Sequence, residues 1–599
     1  MKPLNRNTVA GMLLALGLTG LAGPASAAPN AVVEGLTDGA LRGQLELAVG
    51  EARTPPGSAL AARRRAIQAA KDAIALLRSE GYYEGLAEPD PAATTAARPV
   101  IRVTPGPRFR LADAAIDWNG AAPDPVAQAA TLKALDLKAG APGRAADILA
   151  AEGRAIAGLQ KLGYADARLA PRQVVVDHAD DTVRPTLRLA SGPRVRLGAA
   201  RLVSKGLTRS RWAESLAPWK VGAIYDPAIL AKLEKRLVDT SAYESATVAL
   251  APPGPAAAPD TPRPVEITLV DRPSHALELG AGYSTTEGSG VDGKWTLYNR
   301  LGRADSLILT AKAYDVQQKL DLELDLPDWA HIDQTLKVGG GFLGDRTKAY
   351  SDLGAGVRLD VVRHYSLTTA IFVGGALDFA STRERTAVNS MATPVGVDLK
   401  LFIATAKAGF VLDRSDSILN PRRGWRLEAE ADPTWIGGDR NLGYVKSHAQ
   451  VTGYLPFGAG LPVVAARLKV GSIWGGSIPE VPADRRFFAG GGGSVRGYGY
   501  QGVGPRLSDN TPEGGLSLTE GSVELRQPLG RRWGLVAFAD VGGVGSSQVP
   551  EFSNLAVGVG AGVRYDLGFG PLRLDIGTPL NPRAGDSPVQ VYISIGQAF

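Results

Sequence analysis

Arg496 is the side chain in this sequence best placed to do chemistry, and the chemistry is the gripping of an anion. It sits in the run Gly490-Gly491-Gly492-Gly493-Ser494-Val495-Arg496-Gly497-Tyr498, where glycines let a backbone turn sharply or press against another surface. A guanidinium is permanently charged and can hold a carboxylate through two parallel hydrogen bonds. Acceptors occur in the segments that follow. Alternation in Trp533 to Gly542 puts Trp533, Leu535, Ala537, Ala539 and Val541 on one face and Phe538, Asp540 and Gly542 on the other. In the preceding segment Val523 and Leu525 share the first face, so Glu524 and Arg526 share the second. A loop folded back over that second face would bring Arg496 onto Asp540, with Glu524 as a second acceptor. An outer loop carrying an ordinary solvated arginine fits the same residues.

Other chemistries fail on context. Gly497-Tyr498-Gly499-Tyr500-Gln501-Gly502 matches the dinucleotide pattern G-x-G-x-x-G, but no helix opens there and no βαβ unit surrounds it. The glycine run lacks the Gly-Lys-Ser/Thr ending of a phosphate loop. His178, His275, His331, His364 and His448 are scattered without metal-ligand spacing, and no serine lies in a G-x-S-x-G elbow. No catalytic residue, metal or cofactor is expected, and the chain is read as a non-enzyme.

The elements that would position Arg496 are strands. From about residue 275 strict alternation takes over: Leu320, Leu322, Leu324 and Leu326 are separated by Asp321, Glu323 and Asp325. Leu572, Leu574 and Ile576 alternate with Arg573, Asp575 and Gly577. One face is apolar and the other charged or glycine, the pattern of a transmembrane antiparallel β-barrel with lipid outside and a polar lumen. At roughly 20 residues per strand and connection, the region predicts about 16 strands. A soluble sandwich would instead turn the apolar face to a shared core; the signal peptide, the missing cysteines and the charge-bearing inner faces argue against it.

Ahead of the barrel the chain repeats itself. Gly106-Pro107-Arg108-Phe109-Arg110-Leu111 recurs 86 residues later as Gly192-Pro193-Arg194-Val195-Arg196-Leu197. That period exceeds the roughly 20–50 residues of common solenoids, so each unit can hold its own core. Three units are predicted, each ordered strand, helix, helix, strand, strand. In the second, Phe109 to Trp118 is the first strand, Pro125 to Leu135 and Ala145 to Leu162 are helices, and Val174 to Val176 and Thr186 to Leu189 are the last strands. The second helix would present Ile148, Leu149, Ile156, Leu159 and Leu162 to the core. Their sheet edges could accept an added strand, or the units could be spacers.

The first residues read as a secretory signal: basic Lys2 and Arg6, an apolar Val9 to Ala22, and a small-residue site at Ala25-Ser26-Ala27. The expected division is residues 1–27 signal peptide, 28–105, 106–191 and 192–273 the three repeats, and 274–599 the barrel. The chain has no cysteine, so folding rests on packing and hydrogen bonds. A net charge of +6, from 66 basic and 60 acidic side chains, gives no support to nucleic-acid binding.

In order, these motifs resemble the outer-membrane assembly-factor superfamily, the bacterial surface antigen family, which couples POTRA domains to a sixteen-stranded barrel. Val495-Arg496-Gly497-Tyr498 resembles its VRGY signature, and Phe538-Ala539-Asp540-Val541-Gly542 its F-x-D-x-G strand motif. Asp413-Arg414-Ser415-Asp416 with Asn420-Pro421-Arg422-Arg423-Gly424-Trp425 resembles a mid-barrel segment, and Phe599 the terminal aromatic of the sorting signal. The resemblance implies that the arginine of VRGY is held in the lumen by the strand aspartate, here Arg496 with Asp540.

Three repeats resemble the TamA branch, the outer-membrane subunit of the translocation and assembly module. That implies an outer-membrane barrel with POTRA domains in the periplasm, a periplasm-spanning, inner-membrane-anchored TamB-like partner, and client outer-membrane proteins such as autotransporters. Clients would pass a lateral seam between the first strand, about Ala276 to Ser284 with Gly280 and Gly282, and the last, about Val589 to Phe599. Glycine weakens a strand, although here it could equally relieve crowding in the lumen. A passive channel and the outer-membrane end of an inter-membrane lipid-transport system remain open alternatives.

Overall fold

The computed structural model describes residues 28–52, 54–95, 98–253, 262–284, 288–366, 368–386, 393–457, 462–568 and 571–595. The expected signal peptide and Phe599 lie outside them.

Each N-terminal module places its last strand at the centre of its sheet. In the first, Val100–Thr104 runs parallel to Val32–Glu34 and antiparallel to Leu86–Pro89, under helices Gly39–Val49 and Ala59–Ser79. The core is Leu41, Leu45, Ala66, Ala73, Leu77 and Ile101. In the second, Thr182–Ala190 is central, with Gln173–Asp177 antiparallel on one side. The predicted first strand from Phe109 is two pieces, Arg110–Leu111 and Ala115–Trp118, both parallel to that central strand. Leu111 faces Val183 and Ala115 faces Thr186, so four steps oppose three and one residue is extra. Pro185, which lacks an N–H, lies at the break.

Helix Pro125–Ala134 of the second module starts where Asp124 accepts the Ala127 N–H at 3.0 Å with proline at the first turn. The Tyr164 hydroxyl donates to Asp124 Oδ2 at 2.8 Å, tying the helix start to the following turn. Helix Ala145–Lys161 buries Ile148, Ala151, Ala155 and Leu159, whereas Leu149 is half exposed. The buried set follows the i, i+3, i+7 and i+11 line, and Leu149 lies one residue, about 100°, off it. The third module comprises Arg196–Leu202, helices Ser210–Ser215 and Pro227–Asp239, and strands Tyr243–Leu250 and Pro262–Asp271, again with the last strand central.

Sixteen antiparallel strands in chain order form the C-terminal sheet. They are β1 (His275–Ser284), β2 (Gly288–Tyr298), β3 (Ser306–Tyr314), β4 (Gln317–Leu326), β5 (Gln334–Arg346), β6 (Tyr350–Ser366), β7 (Thr369–Thr386) and β8 (Val395–Asp413). There follow β9 (Gly424–Gly438), β10 (Leu442–Pro456), β11 (Val463–Trp474), β12 (Ser517–Leu529), β13 (Trp533–Gly545), β14 (Ala556–Asp566), β15 (Pro571–Pro579) and β16 (Gln590–Ile595). The Cα atoms of β1 and β16 approach within 8 Å, bringing the two ends of the sheet together as a barrel. Side chains sort by the period of two: Leu320 and Leu322 are each 47% exposed on the outer face, while Asp321 between them is buried. Among the described residues no helix is long and apolar enough to cross a membrane.

Residues 199–219, 230–251 and 264–599 form one compact unit, so parts of the third module belong with the barrel. The join is polar and buried. The turn between β2 and β3 presents Asn299, whose Nδ2 donates to Thr208 Oγ1 at 2.8 Å, and Thr208 meets the Tyr243 hydroxyl at 2.9 Å. Burial pushes the Tyr243 phenol up to about 12. The Arg209 N–H donates to the Gly302 carbonyl at 2.9 Å.

Candidate functional site

Between β11 and β12 the chain does not stay outside. Residues 475–516 fold into the lumen, where Val495, Arg496 and Tyr498 are all essentially inaccessible. Val495 and Tyr498 pack with Leu516, Leu518, Ile473 and Phe487 in an apolar cluster inside the barrel. The loop backbone can lie this close because both surfaces lack side chains. Gly497 has φ +97°, and a Cβ there would fall 2.7 Å from the Thr578 carbonyl group of β15. On the wall, a Cβ at Gly558 of β14 would fall 1.8 Å from the Arg496 carbonyl oxygen. Gly542 of β13 likewise leaves room for Val495.

The structure brings Arg496 onto Asp540 and Glu524. Arg496 Nε donates to Asp540 Oδ2 at 2.7 Å and Nη2 to Oδ1 at 2.9 Å, a two-pronged grip. The Arg496 backbone N–H adds a third bond to Asp540, at 3.0 Å. Nη1 donates to Glu524 Oε1 at 2.6 Å and to Asp575 Oδ2 of β15 at 3.1 Å. The Phe538 ring lies under the guanidinium, 3.5 Å from its carbon, so the cation is also held from its face. Ser522 Oγ donates to Asp540 Oδ1 at 2.5 Å. The carboxylates have further cations: Arg526 on Glu524 at 2.8 Å, and Arg564 and Arg573 on Asp575 at 2.5 and 2.7 Å. The cluster thus holds four arginines against three carboxylates, a charge state sustainable in a buried site only because every member is paired.

Sequence reasoning missed several of these groups. Asp575 lies on the inner face that alternation assigned it, but nothing in the sequence brought it to Arg496. Tyr592 of β16 is a second omission. Its hydroxyl accepts the Gly497 N–H at 3.0 Å and donates to the Tyr498 carbonyl at 3.1 Å. Its outward neighbours Val591 and Ile593 mark it as inward, and that parity was the available signal. The Tyr498 hydroxyl in turn donates to Asn581 Oδ1 at 2.6 Å, in the connection between β15 and β16. A third omission is Glu384 of β7, which anchors the start of the loop. It accepts the Ala483 N–H at 2.7 Å and pairs with Arg440 at 2.7 Å.

At the expected seam, β16 pairs with β15 over six of the described residues, against seventeen between β7 and β8. Gly280 of β1 faces Asp292 of β2, and a Cβ there would fall 2.7 Å from its carboxylate oxygen. Asp292 accepts the Tyr314 hydroxyl at 2.8 Å, so Gly280 makes room for a lumen hydrogen bond. Gly282 pairs with Gly290. Asp413 and Asp416 organise the connection between β8 and β9: Asp413 Oδ1 accepts the Ser415 N–H, and Asp416 Oδ1 those of Arg422 and Arg423.

The profile of the Omp85 superfamily domain matches residues 299–599, half of the chain. The chain belongs to the Omp85 superfamily. Its barrel is accordingly an outer-membrane barrel, with the N-terminal modules on the periplasmic side. It is 24% identical over 353 residues to the outer membrane protein assembly factor BamA of Neorickettsia risticii, covering 56% of this chain and 46% of that one. It is 23% identical over 555 residues to BamA of Neisseria meningitidis, covering 83% of this chain and 68% of that one. The chain therefore spans just under half the first relative and about two thirds of the second. Among solved structures, BamA from Haemophilus ducreyi lacking POTRA domains 1–3 superposes with a TM-score of 0.69 at 17% identity. That match takes in 82% of this chain and all of the other, and shows a shared fold.

Proposed function

We propose that this Omp85 protein is an outer-membrane assembly factor, which helps client β-barrel proteins enter the membrane and performs no covalent chemistry. The observation that carries the reading is the occupied lumen. A loop pinned by a buried guanidinium and three carboxylates lies inside the lumen, in space a passive channel would leave to its solute. That disfavours the channel and moves attention from the pore to the wall. There the last strand pairs with β15 on one edge, over six of the described residues, and its other edge faces β1. Parted from β1, it would expose backbone donors and acceptors to a client strand that finds none in lipid. The relatives named as assembly factors support the same reading.

The finer proposal is a TamA-like role: insertion or secretion of clients such as autotransporters, with a TamB-like periplasm-spanning partner received by the modules. Each module has a sheet whose outer strands pair on one side only, the kind of edge a partner strand can extend. The test uses the absence of native cysteine. Cysteines introduced into β1 and β16 and oxidised should abolish client insertion in a depletion strain while the barrel stays folded. Full insertion by the locked form would overturn lateral opening. Lipid-transport assays in the same strain separate this reading from the lipid-transfer alternative, and capture through the three modules tests the partner.

A further inference from the structure

β1 leaves the third module, so connections after even-numbered strands lie at the periplasmic end of the barrel. Two of them carry paired arginines followed closely by tryptophan: Arg422-Arg423-Gly424-Trp425 between β8 and β9, and Arg531-Arg532-Trp533 between β12 and β13. They meet at a cavity of about 180 Å³ lined by Arg422, Arg531, Arg532, Trp533, Leu535 and Asp566. Arg526 and Arg564 also reach it, but their charges already face Glu524 and Asp575. Arg422, Arg531 and Arg532 form no ion pair with a carboxylate among the described residues, so against Asp566 the cavity carries an excess of positive charge. One oxygen of Asp566 accepts the Gly568 N–H at 2.8 Å.

The cavity has two chemical ends. Trp533 and Leu535 point outward from β13 and are 56% and 47% exposed, on the lipid-facing side. Trp533 packs edge-on against Tyr565, with centroids 4.8 Å apart, and Arg532 Nη1 donates to the Tyr565 hydroxyl at 3.3 Å. A Trp–Tyr pair with an arginine on the phenol marks the level where acyl chains give way to headgroups. We propose that this cavity is a phospholipid site of the periplasmic leaflet. Arg422, Arg531 and Arg532 grip the phosphate, and Trp533 and Leu535 take the first carbons of the acyl chain. Guanidinium groups suit phosphate because they present two parallel donors, and basic pockets at a membrane surface hold anionic headgroups. The site borders the plug cluster through Arg526 and Arg564 but takes its free charge from other residues, and its test does not depend on client insertion.

The experiment titrates the full chain in detergent with dioctanoyl-phosphatidylglycerol, read by native mass spectrometry. Inorganic phosphate alone and dioctanoylglycerol, which lacks the phosphate, serve as parallel arms. Wild type should bind the phospholipid, dioctanoylglycerol should not compete, and the Arg422→Ser/Arg531→Ser/Arg532→Ser variant should bind about a hundredfold more weakly. Folding of the variant is checked by heat-modifiable migration. If the triple variant does not fold, Arg531→Ser and Trp533→Ser carry the test separately, and each should weaken binding. Equal phospholipid binding by wild type and a folded variant would overturn the proposal. Displacement of the lipid by inorganic phosphate at similar concentration would overturn it too, leaving a free-anion site.

Discussion

Removing Arg496 and removing Asp540 should not be equivalent, although the two are partners. In Arg496→Ala, Glu524 keeps Arg526 at 2.8 Å and Asp575 keeps Arg564 and Arg573. Asp540 alone loses its cation, and stays buried with the residue-496 backbone N–H and the Ser522 hydroxyl as its remaining donors among the described residues. A buried charge stripped of its partner destabilises by about 3–5 kcal/mol. In Asp540→Ala, by contrast, Arg496 still reaches Glu524 at 2.6 Å and Asp575 at 3.1 Å. That loss is of charge-assisted hydrogen bonds, roughly 1.5–3 kcal/mol. The pair variant Arg496→Met/Asp540→Leu leaves every remaining carboxylate with an arginine, and should lie within about 2 kcal/mol of wild type, because apolar replacements of buried ion pairs are often nearly neutral.

The assay is urea unfolding of the refolded barrel in detergent, followed by tryptophan fluorescence and heat-modifiable migration. Simple addition of the two single losses would put the pair variant at roughly 4.5–8 kcal/mol, far from the value expected from pairing. Additivity, or an Asp540→Ala variant at least as unstable as Arg496→Ala, would refute the reasoning.

Two further substitutions probe the plug from outside the motif. Gly558→Ala places a methyl group on the Arg496 carbonyl oxygen, so the loop should leave its groove and trypsin should cleave after Arg496 much faster than in wild type; an unchanged digestion rate would show that the wall yields instead. Tyr592→Phe strands the Gly497 N–H and the Tyr498 carbonyl and should destabilise loop seating by roughly 1–3 kcal/mol, read by the same cleavage, while leaving the Arg496 cluster intact; wild-type protection would remove Tyr592 from the account.

How far the sequence spoke depended on the period of the signal. Alternation put Glu524 and Asp540 on the inner face and Val523 and Leu525 on the outer, because a period of two leaves a strand no third choice. It gave the facing of Asp575 with the same certainty, yet not its nearness to Arg496. Nearness depends on how deep a loop folds and which strands curve past it, and local patterning is blind to both. The helix face failed at Leu149 because apolar type was weighed above angle, and the alanines at 151 and 155 hold the true line. The first strand of the second module broke at an extra residue opposite Pro185, and a bulge leaves little trace in apolar patterning. Glu384 gave no signal at all, since its partners Ala483 and Arg440 come from two other connections.

The anchors of the loop divide by chemistry and by strand. The charged set fixes Arg496 to β12 and β13, which pair with each other over thirteen residues, and to β15, the neighbour of the last strand. The uncharged set, Tyr592 with Gly497 and Tyr498 and Asn581 with Tyr498, fixes the same loop to the last hairpin. Further out the division is not complete: a charged pair, Arg506 with Asp586 at 2.5 Å, and the Arg583 donation to the Gly504 carbonyl at 2.8 Å join the loop to the connection before β16 rather than to that strand itself. The last strand is therefore held on one edge by its ladder with β15, six pairs among the described residues, and on its inner face by the plug. Charged groups in a buried network tolerate little displacement, because a separated pair leaves a desolvated ion. Neutral hydrogen bonds part at about 1 kcal/mol each when water can replace the partner. If the barrel opens beside β16, the geometry makes the phenol contacts the ones that part and the guanidinium cluster the one that stays, so the plug can remain seated while the strand beside it moves.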